Sequence, residues 1–192
     1  SNWNQPTSFV GSDYAFRPYF QGAAHAGQAE YFALGNVSNH PGLYLSRQLE
    51  QDGRTLGVVV VKVEFDGVEA GWRRFPDPVF VTDEHGVVLL SSQDDWRFQV
   101  YGALSAAQRD ALRTSLQFGD APLAPLPLQA APVREGQVLA SLPGRAEQEY
   151  VHVQEPVPGT PWQFHLLGAT REAMARTAAS ARVAAALLAL CA

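Results

Sequence analysis

Between residues 57 and 65 the chain reads GVVVVKVEF, nearly every position apolar or β-branched, a pattern that predicts a central strand covered on both faces. Two-residue alternation sets Val58, Val60, Lys62 and Glu64 on one face and Val59, Val61, Val63 and Phe65 on the other. A second strand is predicted over residues 43–49 and joins residues 56–65 through EQDGRT, where Asp52-Gly53 is a strong hairpin signal. Loop length decides the pairing. A two-residue loop at Asp52-Gly53 sets Lys62 opposite Leu43, whereas a three-residue loop centred on Gly53 sets it opposite Tyr44. Only the second register brings Tyr44 and Ser46 to the face of Lys62, and it is favoured because an ammonium costs less among polar neighbours than among leucines.

The rest of the pattern alternates between strands and short helices. Residues 16–24 accommodate a helix provided Pro18 lies in its first turn. Residues 67–78, which include Trp72 and the Arg73-Arg74 pair, break the strand pattern and predict a connecting helix. A hairpin over residues 78–92 turns at residues 83–86, and Ser105 with Gln108 forms a capping box that opens a helix over residues 105–117. Residues 121–132 are rich in proline and are expected to run extended over the surface rather than join a ladder. Strands at residues 137–142, 147–154 and 162–167 would complete a five-stranded antiparallel sheet with that hairpin. A helix from Thr170 leads into the apolar run 183–192, which is shorter than the roughly 20 residues a membrane span requires and follows Arg171, Arg176 and Arg182.

Composition narrows the function classes. A length of 192 residues suits two small domains, and 46% hydrophobic with 17% charged residues is globular. The formal net charge of −5, with no basic cluster interleaved with aromatics, gives no support for nucleic acid as a partner. The single cysteine, Cys191, permits neither an intrachain disulfide nor a cysteine-based zinc site. His25, His40, His85, His152 and His165 fall in no metal-ligand spacing and read as surface or turn residues. Asp94 and Asp95 read as solvated turn carboxylates, and no hydrolase elbow, Walker loop or dinucleotide motif is present, so no cofactor and no catalytic residue is expected.

Two cations carry the candidate chemistry. Lys62, inside an apolar strand, needs an anion unless it pairs with Glu64 two residues on or reaches solvent at the sheet edge. Arg17 stands among Tyr14, Phe16, Tyr19 and Phe20, either stacked on a ring at the surface or pointing inward as a planar fork matched to a carboxylate.

The motifs SFVGxxYxFRPYF (residues 8–20), YFALG (31–35) and GVVVVKV (57–63) together resemble the periplasmic sensor region of DctB-type bacterial histidine kinases, which detect four-carbon dicarboxylates. The resemblance implies an α+β fold of tandem PAS-like (double Cache) modules with antiparallel sheets. Residues 1–66 would be the end of a membrane-distal, ligand-binding module truncated at its N-terminus, without its long helix and first strand. Residues 67–77 would be a connector, 78–168 a membrane-proximal module, and 169–192 a signalling helix entering a membrane span. In that family the distal module holds succinate, fumarate or malate. Carried onto this chain, Arg17 and Lys62 become the carboxylate partners, Tyr14 stands beside Arg17, and Gly35, Asn36 and Val37 supply a contacting loop, joined by Tyr44 and Ser46 in the second hairpin register. Family members often carry threonines where this chain has Asn36 and Val37, which leaves that loop its backbone contacts. The proximal module is expected to bind no anion, since Arg97, Arg134 and Arg145 fall in turns or loops. The resemblance further implies a periplasmic segment of an inner-membrane protein, anchored by flanking helices. It also implies a homodimeric parent, a kinase core outside the chain and a cytoplasmic response regulator as partner. A chemoreceptor ectodomain of the same fold is the alternative.

Overall fold

In the computed structural model, which describes residues 10–126, 128–134, 137–141, 148–169 and 185–186, Pro18 occupies the first position of α1 (Pro18–Ala26). Its missing N–H costs nothing there. Arg17 is the extended N-cap residue, and Gly27 ends the helix at φ 82° with its N–H on the Ala23 carbonyl. Three antiparallel strands follow, β1 (Gln28–Leu34), β2 (Pro41–Gln51) and β3 (Arg54–Val63), in that spatial order. β1 is absent from the sequence pattern because only Phe32 and Ala33 in QAEYFAL become buried. Ser46 ties α1 to the sheet: its hydroxyl lies 2.7 Å from the Tyr19 carbonyl and 2.9 Å from that of Ala29, two acceptors for one O–H.

Among the described residues β3 lies at the edge of its sheet, where a central strand was expected, and Val59 is 46% and Val61 56% exposed. An apolar strand on both faces states what can be covered, not what is. Among the described residues, only the face of Val58, Val60 and Lys62 meets α1 and the loop after β1.

The chain divides into two compact units: Ser1–Glu64 with Ala111–Asp120, and Phe65–Asp110 with Ala121–Ala192. Within the first, Gln117 serves β1 twice. Its carbonyl accepts the Leu34 N–H at 2.8 Å and its side-chain amide donates to the Phe32 carbonyl at 3.0 Å.

The second unit begins with α2 (Asp66–Trp72), where the strand pattern stops. Its strands are β4 (Val79–Thr82), β5 (Val88–Ser91), β6 (Gln129–Arg134), β7 (Gln137–Ser141), β8 (Gln148–Pro156) and β9 (Gln163–Gly168). Among the described residues they form one antiparallel sheet in the order β5-β4-β9-β8-β7-β6. That is six strands where five were expected. The extra strand, β6, comes partly from the proline-rich stretch, and Pro132 is tolerated because β6 lies at the sheet edge beside a shift in register. The turn between β4 and β5 is closed by Asp83, whose carboxylate accepts the His85 and Val87 N–H groups. Phe80, Trp96, Tyr150 and Leu167 are central to the core.

The capping box forms as expected at α3 (Ala106–Ser115), with reciprocal bonds between Ser105 and Gln108. The predicted C-terminal helix and apolar run lie outside the described residues except for helical Ala185 and Ala186. No helix among the described residues is long and apolar enough to cross a membrane.

Candidate functional site

The position of Lys62 is set by two features of the β2–β3 hairpin. Gln51 pairs with Arg54 across a two-residue turn in which Asp52 (φ 50°) and Gly53 (φ 71°) are both left-handed, as a type I′ turn requires. Glu50 then pairs with Thr55 but Leu49 with Gly57, so Leu56 is an unpaired bulge. The bulge moves every later pair by one residue and sets Lys62 opposite Tyr44. The favoured register is therefore reached, but through the shorter loop and a bulge.

Gly42 leaves room for the lysine stem. A Cβ there would stand 2.7 Å from the Val63 carbonyl oxygen and 2.8 Å from Lys62 Cε. The ammonium lies 2.5 Å from Glu64 Oε1, 3.2 Å from Ser38 Oγ and 6.0 Å from the centre of the Tyr44 ring. The hydrogen bond from Lys62 holds the Glu64 carboxyl below its usual range.

Arg17 approaches from the start of α1. Only 1% exposed, it donates from Nη1 to Asn36 Oδ1 and from Nη2 to the Leu34 carbonyl, both at 2.9 Å. These bonds clip the loop after β1 to the helix cap. Its guanidinium carbon lies 5.6 Å from the Tyr19 ring centre and 5.9 Å from that of Phe16. Tyr19 in turn stacks on Tyr44 with ring centres 4.6 Å apart, and burial pushes the Tyr44 phenol up to about 12. The loop has no room for a larger residue at position 35, where a Cβ would lie 2.5 Å from Ser38 Oγ and 3.1 Å from the His40 carbonyl.

Together these elements enclose a cavity of about 480 Å³ in the first unit, within the usual range for a small-molecule site. Tyr14, Arg17, Gly35 and Asn36 line it with Val37, Tyr44 and Lys62, so seven of the eight residues read from the sequence converge. Ser46 does not line it. It shares the face of Tyr44, as the register requires, but its hydroxyl is taken by the Tyr19 and Ala29 carbonyls. Six further residues line the cavity: Tyr19 and Phe20 from the aromatic cluster around Arg17, Val58, Val60 and Glu64 from the face of β3 and its continuation that carries Lys62, and Ser38. Ser38 carried no signal beyond lying one residue past the loop that was read.

In the second unit Arg97 is ion-paired to the buried Glu69, which also accepts the Ser91 N–H at 3.0 Å. Asp94 pairs with Arg73 at 2.7 Å. Arg145 and the Arg134 side chain lie outside the described residues. His165 and His152 correct the expectation of surface or turn histidines: His165 is 1% exposed, and the two rings meet at 3.0 Å in the middle of the sheet. The Phe80 ring stacks on His165 and the Tyr101 ring packs against both, which leaves His152 half-buried. Among the described residues no group of histidine, cysteine, aspartate or glutamate side chains is placed to hold a metal ion.

No protein-family model matches the chain. It is similar to the C4-dicarboxylate transport sensor protein DctB of Rhizobium meliloti (strain 1021), 46% identical over 186 residues, which cover 95% of this chain and 30% of that protein. The protein of the same name from Pseudomonas aeruginosa (strain PAO1) is 40% identical over 129 residues, 67% of this chain and 21% of the relative. The chain thus spans less than a third of the length of these curated relatives. Among solved structures, the sensor domain of the V. cholerae histidine kinase DctB superposes with a TM-score of 0.75 at 32% identity, covering 88% of this chain and 66% of that one.

Proposed function

Because this chain belongs to the DctB family of sensor regions, we propose that it is the periplasmic, ligand-sensing part of a membrane-anchored sensor histidine kinase that responds to four-carbon dicarboxylates. The observation that carries the proposal is the convergence of a buried guanidinium and a strand-borne ammonium on one cavity. Two Arg17 N–H groups are committed to Asn36 and Leu34, which orients the fork and leaves other donors of the same guanidinium for one carboxylate. Lys62 meets the second carboxylate as a point charge. Tyr14 and the Gly35 to Val37 loop complete the contacts, and the stacked Tyr19 and Tyr44 rings wall the apolar middle of the ligand.

Arg17 belongs to the start of α1 and Lys62 to β3, so a bridging ligand draws the helix cap toward the sheet. Such a ligand shifts an equilibrium only by the difference in its affinity for the two arrangements. The first unit would be the membrane-distal, binding module, and the second the proximal module that passes the change toward the membrane. The kinase core, the membrane anchor, the dimer and the response regulator belong to the whole protein and enter the proposal with it. This segment contributes binding and no catalysis.

Calorimetric titration of the intact protein with succinate tests the site. Arg17→Ala and Lys62→Ala should each weaken binding at least about 30-fold, the equivalent of losing one partner of a desolvated charge pair. Near-parental affinity in both variants would remove the two residues from the site.

A further inference from the structure

The cavity contains an anion of its own. Glu64 lines it, and its carboxylate sits 2.5 Å from the Lys62 ammonium, where a ligand carboxylate would have to go. With Arg17 and Lys62 positive and Glu64 negative, the lining carries one net positive charge against the two negative charges of a dicarboxylate. We propose that Glu64 is a built-in counter-ion which holds Lys62 in the empty protein and is exchanged for a ligand carboxylate on binding. This inference rests on the dicarboxylate reading and adds to it a residue that tunes affinity.

The two partners are held unequally. Lys62 is fixed by its strand pairing with Tyr44, by the stem lying over Gly42 and by the Ser38 hydroxyl, and its side chain is 20% exposed. Glu64 is the first residue beyond the end of β3, and its side chain is 47% exposed. Its carboxylate can therefore turn into water while the ammonium stays in place, and a half-exposed ion pair of this kind is weak enough to be displaced. In the empty state the pair spares the protein an unpartnered ammonium inside the cavity. In the bound state the displaced carboxylate stays close to a dianion and opposes it. Both effects set a ceiling on affinity. A sensor that must release its ligand as the external concentration falls is served by such a ceiling.

Titration of the intact sensor with succinate, comparing the parent with Glu64→Gln and Glu64→Asp, tests the exchange. Glu64→Gln keeps the shape and removes the charge, so succinate should bind about three- to tenfold more tightly. Glu64→Asp keeps the charge but shortens the reach toward Lys62, and should fall between the parent and Glu64→Gln. Unchanged or weaker binding in Glu64→Gln, with the parent binding normally, would overturn the exchange and make Glu64 a support for Lys62. A parent that binds no succinate, fumarate or malate would overturn the dicarboxylate reading, and the exchange with it.

Discussion

Lys62 reaches the cavity by laying its stem across a residue without a side chain. In Gly42→Ala the new methyl would stand 2.7 Å from the Val63 carbonyl oxygen, an atom of the neighbouring strand rather than the end of a flexible side chain. β2 and β3 would have to part locally, at a cost of about 1–3 kcal/mol. The lysine stem, 2.8 Å away, would move with them. Urea melts should report the destabilisation and calorimetry a weakened affinity for succinate; parental values in both would contradict the close approach. At this scale the sequence was readable wherever a charge stood against its surroundings. Arg17 among aromatics and Lys62 among valines announce themselves because burial of a charge demands a partner. Gly42 and Ser38 do not, since a small residue near a turn has many uses. For Ser46 the face was legible and the partner was not: two backbone carbonyls compete for its hydroxyl, and neither leaves a mark in the pattern.

The β2–β3 hairpin shows how an element can hide the route to its own register. The polar face of Tyr44 and Ser46 favours the register in which Lys62 meets Tyr44, but alternation does not show that a bulge at Leu56, rather than a longer loop, produces it. Leu56 is 65% exposed and lies between the Thr55–Glu50 and Gly57–Leu49 pairs. Deleting it should join these two pairs into a regular ladder and leave Lys62 opposite Tyr44, with succinate binding retained. Deleting Val58 should instead flip the strand beyond it and carry Lys62 to the other face. Cross-strand nuclear Overhauser contacts between residues 44 and 62 distinguish the cases; loss of these contacts on deleting Leu56 would show that the bulge itself holds the register. β6 teaches a related lesson, because proline excludes a central strand but not an edge, and edge position is a property of the whole sheet.

In the second unit the Thr82 hydroxyl, His165, His152 and the Tyr101 hydroxyl form a row with separations of 3.1, 3.0 and 3.5 Å, and Phe80 stacks on His165. Burial, with a smaller contribution from the neighbouring His152, pushes His165 down to about 3. The unfolded chain binds that proton near 6.5. The folded state therefore holds fewer protons, and stability present above about pH 6.5 is lost as pH falls toward about 3, by up to about 1.4 kcal/mol per unit. Asp83 acts with the opposite sign. Burial raises it to about 6, against the bonds from Val87 and His85, so it adds stability as pH falls from about 6 to its unfolded value near 3.8. The comparison that isolates the histidine is His165→Gln against the parent, melted from pH 7 to pH 4. The variant should lose stability less steeply on acidification, and equal slopes would refute the assignment.

At the scale of the whole chain, the sequence pattern predicts a connecting helix over residues 67–78, because the strand pattern stops before it; α2 begins at Asp66, and the first unit's opening stretch ends at Glu64. The return of Ala111–Asp120 to the first unit was not legible, because the periodicity of a helix states that one face is covered without stating by what. That return matters to anyone who would graft this sensor onto another output. A fragment cut at residue 66 would carry Arg17 and Lys62 with it, yet leave behind Gln117, the two-handed latch on Phe32 and Leu34 immediately ahead of Gly35. The transplanted site would arrive with all its charges and with its loop unfastened. The chain enters the first unit twice, so no single cut in the sequence yields either unit whole.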